Sequence, residues 1–268
     1  MIRRGWAPAI LVAWGVLALF GGYLGLTPNH IELSKILAGP GQDAWLGFDD
    51  LGRPVWDRLV AGAQTSFVVA LWVVTVSAVI GTLIGTISAY LGGWWDHMIV
   101  LIIDVFLAFP GILLAIVLAG LLGPGVSNVV IALSAVGWVG FARLARAQAL
   151  TLKQRDHVQA AVALGSRSPR IVLRHILPLL MAPLIVEATF GVAATVIAEA
   201  GLSFLGLGVQ PPAASWGSMI RDGARYLLVA PHMVLAPGIA LMLVVLAVNV
   251  VGDQLRDRLD VRSRPREG

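Results

Sequence analysis

Cysteine is missing altogether from the 268 residues, and lysine is nearly so, with only Lys35 and Lys153 present. The first absence removes disulfides, Cys-based metal sites and thiol nucleophiles, and leaves the redox compartment open. The second bears on nucleotide chemistry. No G-x-x-x-x-G-K-[ST] loop occurs and neither lysine lies in a phosphate cradle, so the chain is not expected to hydrolyse ATP itself. HExxH, GxSxG and paired histidines at helical spacing are also absent, which leaves membrane-protease and metalloenzyme readings without a catalytic constellation. Charge is scarce: 13% of residues are Asp, Glu, Lys or Arg, against about 25% in an ordinary soluble domain.

Apolar residues fill the gap, at 58% of the chain, so lipid is the expected solvent. The net charge of +4 and high pI would suit nucleic acid, but the basic residues flank apolar segments instead of forming one face. A helix needs roughly 20 apolar residues to cross about 30 Å of hydrocarbon. Six stretches qualify, near 7–26, 65–91, 98–121, 127–148, 180–204 and 231–252. The expected fold is therefore an all-α membrane protein with six transmembrane helices.

Lys and Arg favour the cytoplasmic side of a membrane. With the N terminus inside, that side holds 14 of the 19 basic residues: Arg3 and Arg4, then Arg143, Arg146, Lys153, Arg155, Arg167, Arg170 and Arg174, then Arg256, Arg258, Arg262, Arg264 and Arg266. The opposite side keeps Lys35, Arg53, Arg58, Arg221 and Arg225, accompanied by Asp49, Asp50 and Asp57. Both termini are then cytoplasmic, as an even number of spans requires. The first segment also resembles a secretory signal, but its apolar run is too long and no small-x-small site follows it, so an uncleaved anchor is expected.

Residues 149–179 form the longest cytoplasmic loop between spans. Asp156 can cap a short helix that carries Val158, Ala161, Val162 and Gly165 on one face. Gly165 can end it in the left-handed conformation, and Ser168 followed by Pro169 reads as the cap and first position of the next helix. Pro178 is expected to close that second helix. The result would be a compact helix-bend-helix knob, with Ala160, Ala161 and Ala163 permitting close approach by a partner. A solvated basic loop serving only topology is the plainer alternative.

The tract QAAVALG followed by HILP resembles the "EAA" cytoplasmic loop of permease subunits in binding-protein-dependent ABC importers. Gln159, Ala160, Ala161, Gly165, Leu177 and Pro178 stand at its motif positions, followed in the bend by Ser166. Gln159 replaces the usual glutamate and His175 the usual isoleucine; both resemble the dipeptide/oligopeptide/nickel branch. Three further tracts are similar to that branch: GFDDLGRPVWDRLVAGAQTS at 47–66, although Pro54 stands where an aspartate is typical, GLSFLGLGVQPPAASWGSMI at 201–220, and NVVGDQLRDRLD at 249–260. The resemblance implies a type I ABC importer permease fold in a bacterial or archaeal cytoplasmic (inner) membrane. It implies an N-terminal segment 1–62, a permease core 63–252 and a cytoplasmic tail 253–268. The implied partners are a second, homologous permease, two cytoplasmic ATPases, an extracytoplasmic solute-binding protein, and a peptide or related small solute. ATP and Mg would be bound by the ATPases, with no cofactor in this chain, and the knob would be the coupling helix.

Asp104, Glu187 and Glu199 fall inside or near expected spans, and charges at that depth usually face a cavity or a partner. Glu187 and Glu199, twelve residues apart, lie roughly on one helix face. They can line the path and meet a peptide's ammonium group, or pair across a subunit interface. Phe204, Leu205 and Trp216 suit an outer gate, a binding-protein dock or an interfacial aromatic anchor. Gly81 and Gly85 make a G-x-x-x-G that would let two helices approach closely. An ion-coupled secondary transporter or channel, relaying ions through the three acids, is the alternative function, although no inverted repeat is visible.

Overall fold

The computed structural model describes residues 5–259. Arg3, Arg4, Asp260, Arg262, Arg264 and Arg266 lie outside the described residues, so the basic clusters at the two ends are represented here only by Arg256 and Arg258. Ten α-helices follow one another: α1 (Trp6–Phe20), α2 (Val55–Leu91), α3 (Gly93–Ala108), α4 (Gly111–Leu122), α5 (Val126–Leu152), α6 (Asp156–Ala163), α7 (Ser168–Ile171), α8 (Leu177–Phe204), α9 (Trp216–Ala224) and α10 (His232–Leu259). Among the described residues the only β pairing is an isolated bridge from Phe48 to Pro54. Five helices or helix runs are long and apolar enough to cross a membrane, and six spans result if the bent α3–α4 pair counts as one.

That pair replaces the straight span expected at 98–121. Its two helices meet at 89°, with Phe109 extended at φ −104°, ψ 143° and Pro110 before α4. A proline disfavours helical backbone at the residue before it and offers no N–H to continue the ladder, and here the chain turns.

α2 begins ten residues before the expected span, so the boundary expected at residue 63 falls inside it. At 37 residues it is roughly 55 Å long, well beyond hydrocarbon thickness. Its extra turns pack against α1 and α9: Trp14 Nε1 donates to Ala63 O at 3.2 Å, and a Cβ on Gly62 would meet Trp216 at 2.8 Å. Pro54 occupies the N-cap position without a side-chain acceptor. Asp49 organises the approach instead, accepting from the Leu51 and Arg53 amides and from the Arg53 guanidinium at 2.7 Å. At the other terminus α10 runs seven residues past the expected tail boundary.

The core falls into three main groups. At one end, Trp14, Ala63, Val196, Trp216, Met219 and Val244 join α1, α2, α8, α9 and α10. In the middle, Val69, Val73, Ala115, Ala132 and Leu202 join α2, α4, α5 and α8. At the opposite end, Ala145, Ala149, Leu152, Val158, Ile171, Ile176 and Leu180 join α5 to α6, α7 and the start of α8. Helices α2 and α5 approach closely along a shared seam, where ideal Cβ atoms on Gly81 and Gly85 would collide with the Trp138 and Ala142 carbonyl oxygens. The G-x-x-x-G is therefore a packing device within the chain.

Candidate functional site

The knob at the α6 end has the helix-bend-helix form expected, with different fastenings. Asp156 is the first helical residue; Arg155 is the N-cap and makes no side-chain cap bond. Gly165 does take the left-handed conformation, at φ +75°. Its amide donates to Val162 O (2.9 Å) and that of Ser166 to Ala161 O (3.1 Å), the paired bonds of a Schellman ending. Ser168 lies inside α7, with Pro169 behind it and Arg167 as cap.

Pro178 does not close the second helix. Residues Val172–Ile176 widen into a π turn, and the Leu177 amide donates to Val172 O, five residues back. Pro178 has no amide to offer Arg174 O, and its ring would crowd that carbonyl in a regular helix. One wider turn resolves both problems, so a continuous run from Ser168 to Phe204 carries the knob into the membrane.

Val158 and Ala161 are buried against Ile171 and Ile176, so Ala161 belongs to the knob's internal packing. Gln159, Ala160, Ala163, Gly165 and Pro178 are exposed, and Ser166 and Leu177 are half-buried. The outer surface also presents Leu164, 86% exposed, and Val162, 47% exposed. These are two exposed apolar side chains beside a small-residue helix. Sequence reasoning missed Leu164, which carries no motif signal but sits at the C-cap, where a Schellman ending turns it outward.

The knob is braced from behind. Gln159 Nε2 donates to Lys153 O (2.7 Å), and Lys153 Nζ donates to Ala89 O (2.8 Å) in the last turn of α2. Beside it Arg146 makes a two-pronged pair with Asp96, Nε to Oδ1 and Nη2 to Oδ2, both at 2.7 Å, while Ser88 Oγ donates to the same carboxylate. A bidentate guanidinium fixes orientation as well as distance, so α2, α3 and α5 are locked together where the knob joins them.

The three acids separate. Asp104 is exposed on α3. Glu199 is 1% exposed and accepts from Ser66 Oγ (3.0 Å) and Ser203 Oγ (2.7 Å). It is enclosed by its own chain, so it faces neither a path nor a subunit interface, contrary to expectation; the two serines satisfy it locally. Glu187 is half-buried and lies where two clefts meet. The first, about 350 Å³, lies between α2, α4, α5 and α8. The second, about 940 Å³, opens toward the knob end and includes Gln148, Thr151, Arg155 and Arg256.

Phe204 is exposed at the end of α8, and so is Leu205. Trp216 is 2% exposed; its Nε1 donates to Leu59 O at 3.0 Å, and its ring lies 6.3 Å from that of Trp14. It is a core residue, neither gate, dock nor membrane-surface anchor. Ser215 and Ser218 cap α9 reciprocally and hold the ring inward.

Comparison with known proteins adds the context of this geometry. Residues 81–265 match the family described as "Binding-protein-dependent transport system inner membrane component". The chain is 41% identical to the glutathione transport system permease protein GsiD of Escherichia coli O6:K15:H31, over 93% of this chain and 83% of that protein. It is 43% identical to the dipeptide transport system permease protein DppC of Alkalihalophilus pseudofirmus, over 95% and 84% respectively. The fold is similar to that of the MetNI methionine ABC transporter in inward facing conformations, with TM-score 0.60 and 19% identity over 75% of this chain and 96% of that one.

Proposed function

The chain belongs to the family of binding-protein-dependent transport system inner membrane components, and we propose that it forms half of the translocation pathway of an ABC importer for dipeptides or glutathione. The observation that carries this reading is the relation, at 41–43% identity over more than nine-tenths of the chain, to permeases of those two solutes. A second permease would complete the pathway, two cytoplasmic ATPases would bind ATP and Mg, and an extracytoplasmic binding protein would deliver the solute. This chain supplies no phosphate cradle of its own.

The α6–α7 knob would seat in a cleft of one ATPase, with Leu164, Val162, Ala160 and Ala163 at the contact. The basic residues around it, Arg155, Arg167, Arg170 and Arg174, support its placement on the cytoplasmic side with both termini. Closure of the ATPases would then push on the knob. Its core is continuous with α5 and α8 through Ala149, Leu152, Ile176 and Leu180, so a rigid displacement would reach both walls of the Glu187 clefts and turn the cavity from one side to the other.

The test is purification of the tagged chain from its native membrane, identification of its partners, and ATP-driven uptake in liposomes. A second permease, one or two P-loop ATPases, and vanadate-sensitive uptake of dialanine or glutathione are expected. A lone chain that passes solute without ATP would refute the proposal in favour of ion-coupled transport.

A further inference from the structure

Glu187 is a carboxylate in the middle of a spanning helix with no hydrogen-bond or ion-pair partner among the described residues. Such a group is costly in lipid unless something supplies the opposite charge. Glu199, one element of comparison in the same helix, shows the usual solution, two serines within hydrogen-bond distance. Glu187 has instead been given space. An ideal Cβ on Gly140 of α5 would lie 3.1 Å from its Oε1. One turn away, a Cβ on Gly137 would lie 2.6 Å from Ser77 Oγ of α2. The two glycines are about 4.5 Å apart along the axis, so the bare wall of α5 leaves room for a carboxylate and a hydroxyl that line the same cleft.

Ser77 is the second independent sign. It is 1% exposed, it lines the smaller cleft with Glu187, and its Oγ has no partner. Buried hydroxyls usually have partners, and of the buried side-chain oxygens without a hydrogen-bond partner among the described residues, at Asp50, Ser77, Thr86 and Ser134, only that of Ser77 lines a cleft with Glu187. Glu187 also borders the larger cleft, whose lining includes Arg155 and Arg256. The carboxylate thus stands at the junction, and the basic residues lie farther along the wider space toward the knob end.

We infer that Glu187, assisted by Ser77, forms a subsite within the permease for the ammonium group of the passing solute. The inference rests on the peptide or glutathione reading above, since both solutes carry a free ammonium and at least one carboxylate. Accepting two N–H bonds at this point would hold the solute as it leaves the binding protein and before it reaches the wider cleft.

The experiment uses the whole complex in liposomes with its binding protein and follows ATP-driven uptake of radiolabelled dialanine and glutathione. Glu187→Gln keeps the size and loses the charge; Glu187→Asp keeps the charge and shortens the arm. Uptake is expected to fall about ten- to a hundredfold in the Gln variant, the range for a lost hydrogen bond to a charged group. The Asp variant should recover part of it, and Ser77→Ala should fall less than Gln. Uptake by the Gln variant at or above the Asp level would assign Glu187 to packing and overturn the subsite. Loss of the second permease from the purified Gln complex would assign it to the interface and also overturn it. A wild-type complex that moves neither solute would instead sink the substrate reading, and the inference with it; that failure appears before any substitution is made.

Discussion

Replacing Gly85 by Ala tests whether α2 and α5 are as closely joined as their glycines imply. The added Cβ would lie 2.9 Å from Ala142 C and 3.0 Å from its Cα, and nearer still to its carbonyl oxygen. Ordinary contact begins near 3.4 Å, and every obstructing atom is backbone, so no side-chain rotation gives relief. The helices would have to part by roughly an ångström. Overpacking of this kind costs about 1–3 kcal/mol, because a gap of that size forfeits a quarter to a half of each dispersion contact along the seam. For a chain of this length the melting midpoint should fall by about 2–10 °C. Gly81→Ala meets the same helix and should behave alike. The double variant should cost little more than the worse single one, since one opening serves both sites. Gly120→Ala is the control: it lies in α4 with nothing within 4 Å, and helix propensity alone favours it by up to about 1 kcal/mol. The measurement is thermal unfolding of the purified complex in detergent. A Gly85→Ala protein melting as high as Gly120→Ala would refute the reasoning.

Asp96→Asn leaves Arg146 without its two-pronged partner at a site between exposed and buried. A loss of about 1–2 kcal/mol is expected, between the values for surface and buried pairs, with faster proteolysis near the knob; unchanged proteolysis and melting would contradict the bracing role. Trp216→Phe should cost about 1 kcal/mol through the bond to Leu59 O, and Trp216→Ala about 3–5 kcal/mol by leaving a cavity. Uptake normalised to folded protein should be nearly unchanged in the Phe variant, and a selective transport defect there would restore a gating role. Asp50, outside the spans, has its pKa raised by burial and by the Asp49 charge, against the pull of Arg53. A raised acid favours the fold when protonated, so its contribution is present at low pH and lost as pH rises through the folded pKa. Asp50→Asn should therefore melt no lower than wild type at pH 7 and lose the gain on acidification; a clear drop at pH 7 would show that the Arg53 pair dominates.

Much of the fold was legible from hydropathy alone, because runs of twenty apolar residues have few other uses. The bend at Phe109–Pro110 was signalled by LAFPG, but hydropathy summed across it hid the break, and a proline alone does not decide it, since Pro183 and Pro237 lie inside continuous helices. The early start of α2 was hidden by Trp56, Asp57 and Arg58, which look too polar for a span yet serve contacts outside the membrane. The knob was readable through Gly165, whose left-handed requirement is local. The π turn was not, since Pro178 signals a helix break and only the packing of Ile171 and Ile176 shows that the helix continues. Glu199 and Trp216 were misassigned because their partners are remote: Ser66 is 133 residues from Glu199, and Leu59 is 157 from Trp216.

The cysteine-free chain allows the central claim to be tested directly. Leu164→Cys places a single thiol at the exposed tip of the knob, where a maleimide carrying a photoactivatable group can be attached in inside-out membrane vesicles. Illumination should join the chain to a P-loop ATPase, with the same label at Leu228→Cys, on the opposite end of the bundle, giving no such product. Labelling of Leu164→Cys only from the extracytoplasmic side, or illumination that yields no ATPase adduct in vesicles active for uptake, would contradict the account.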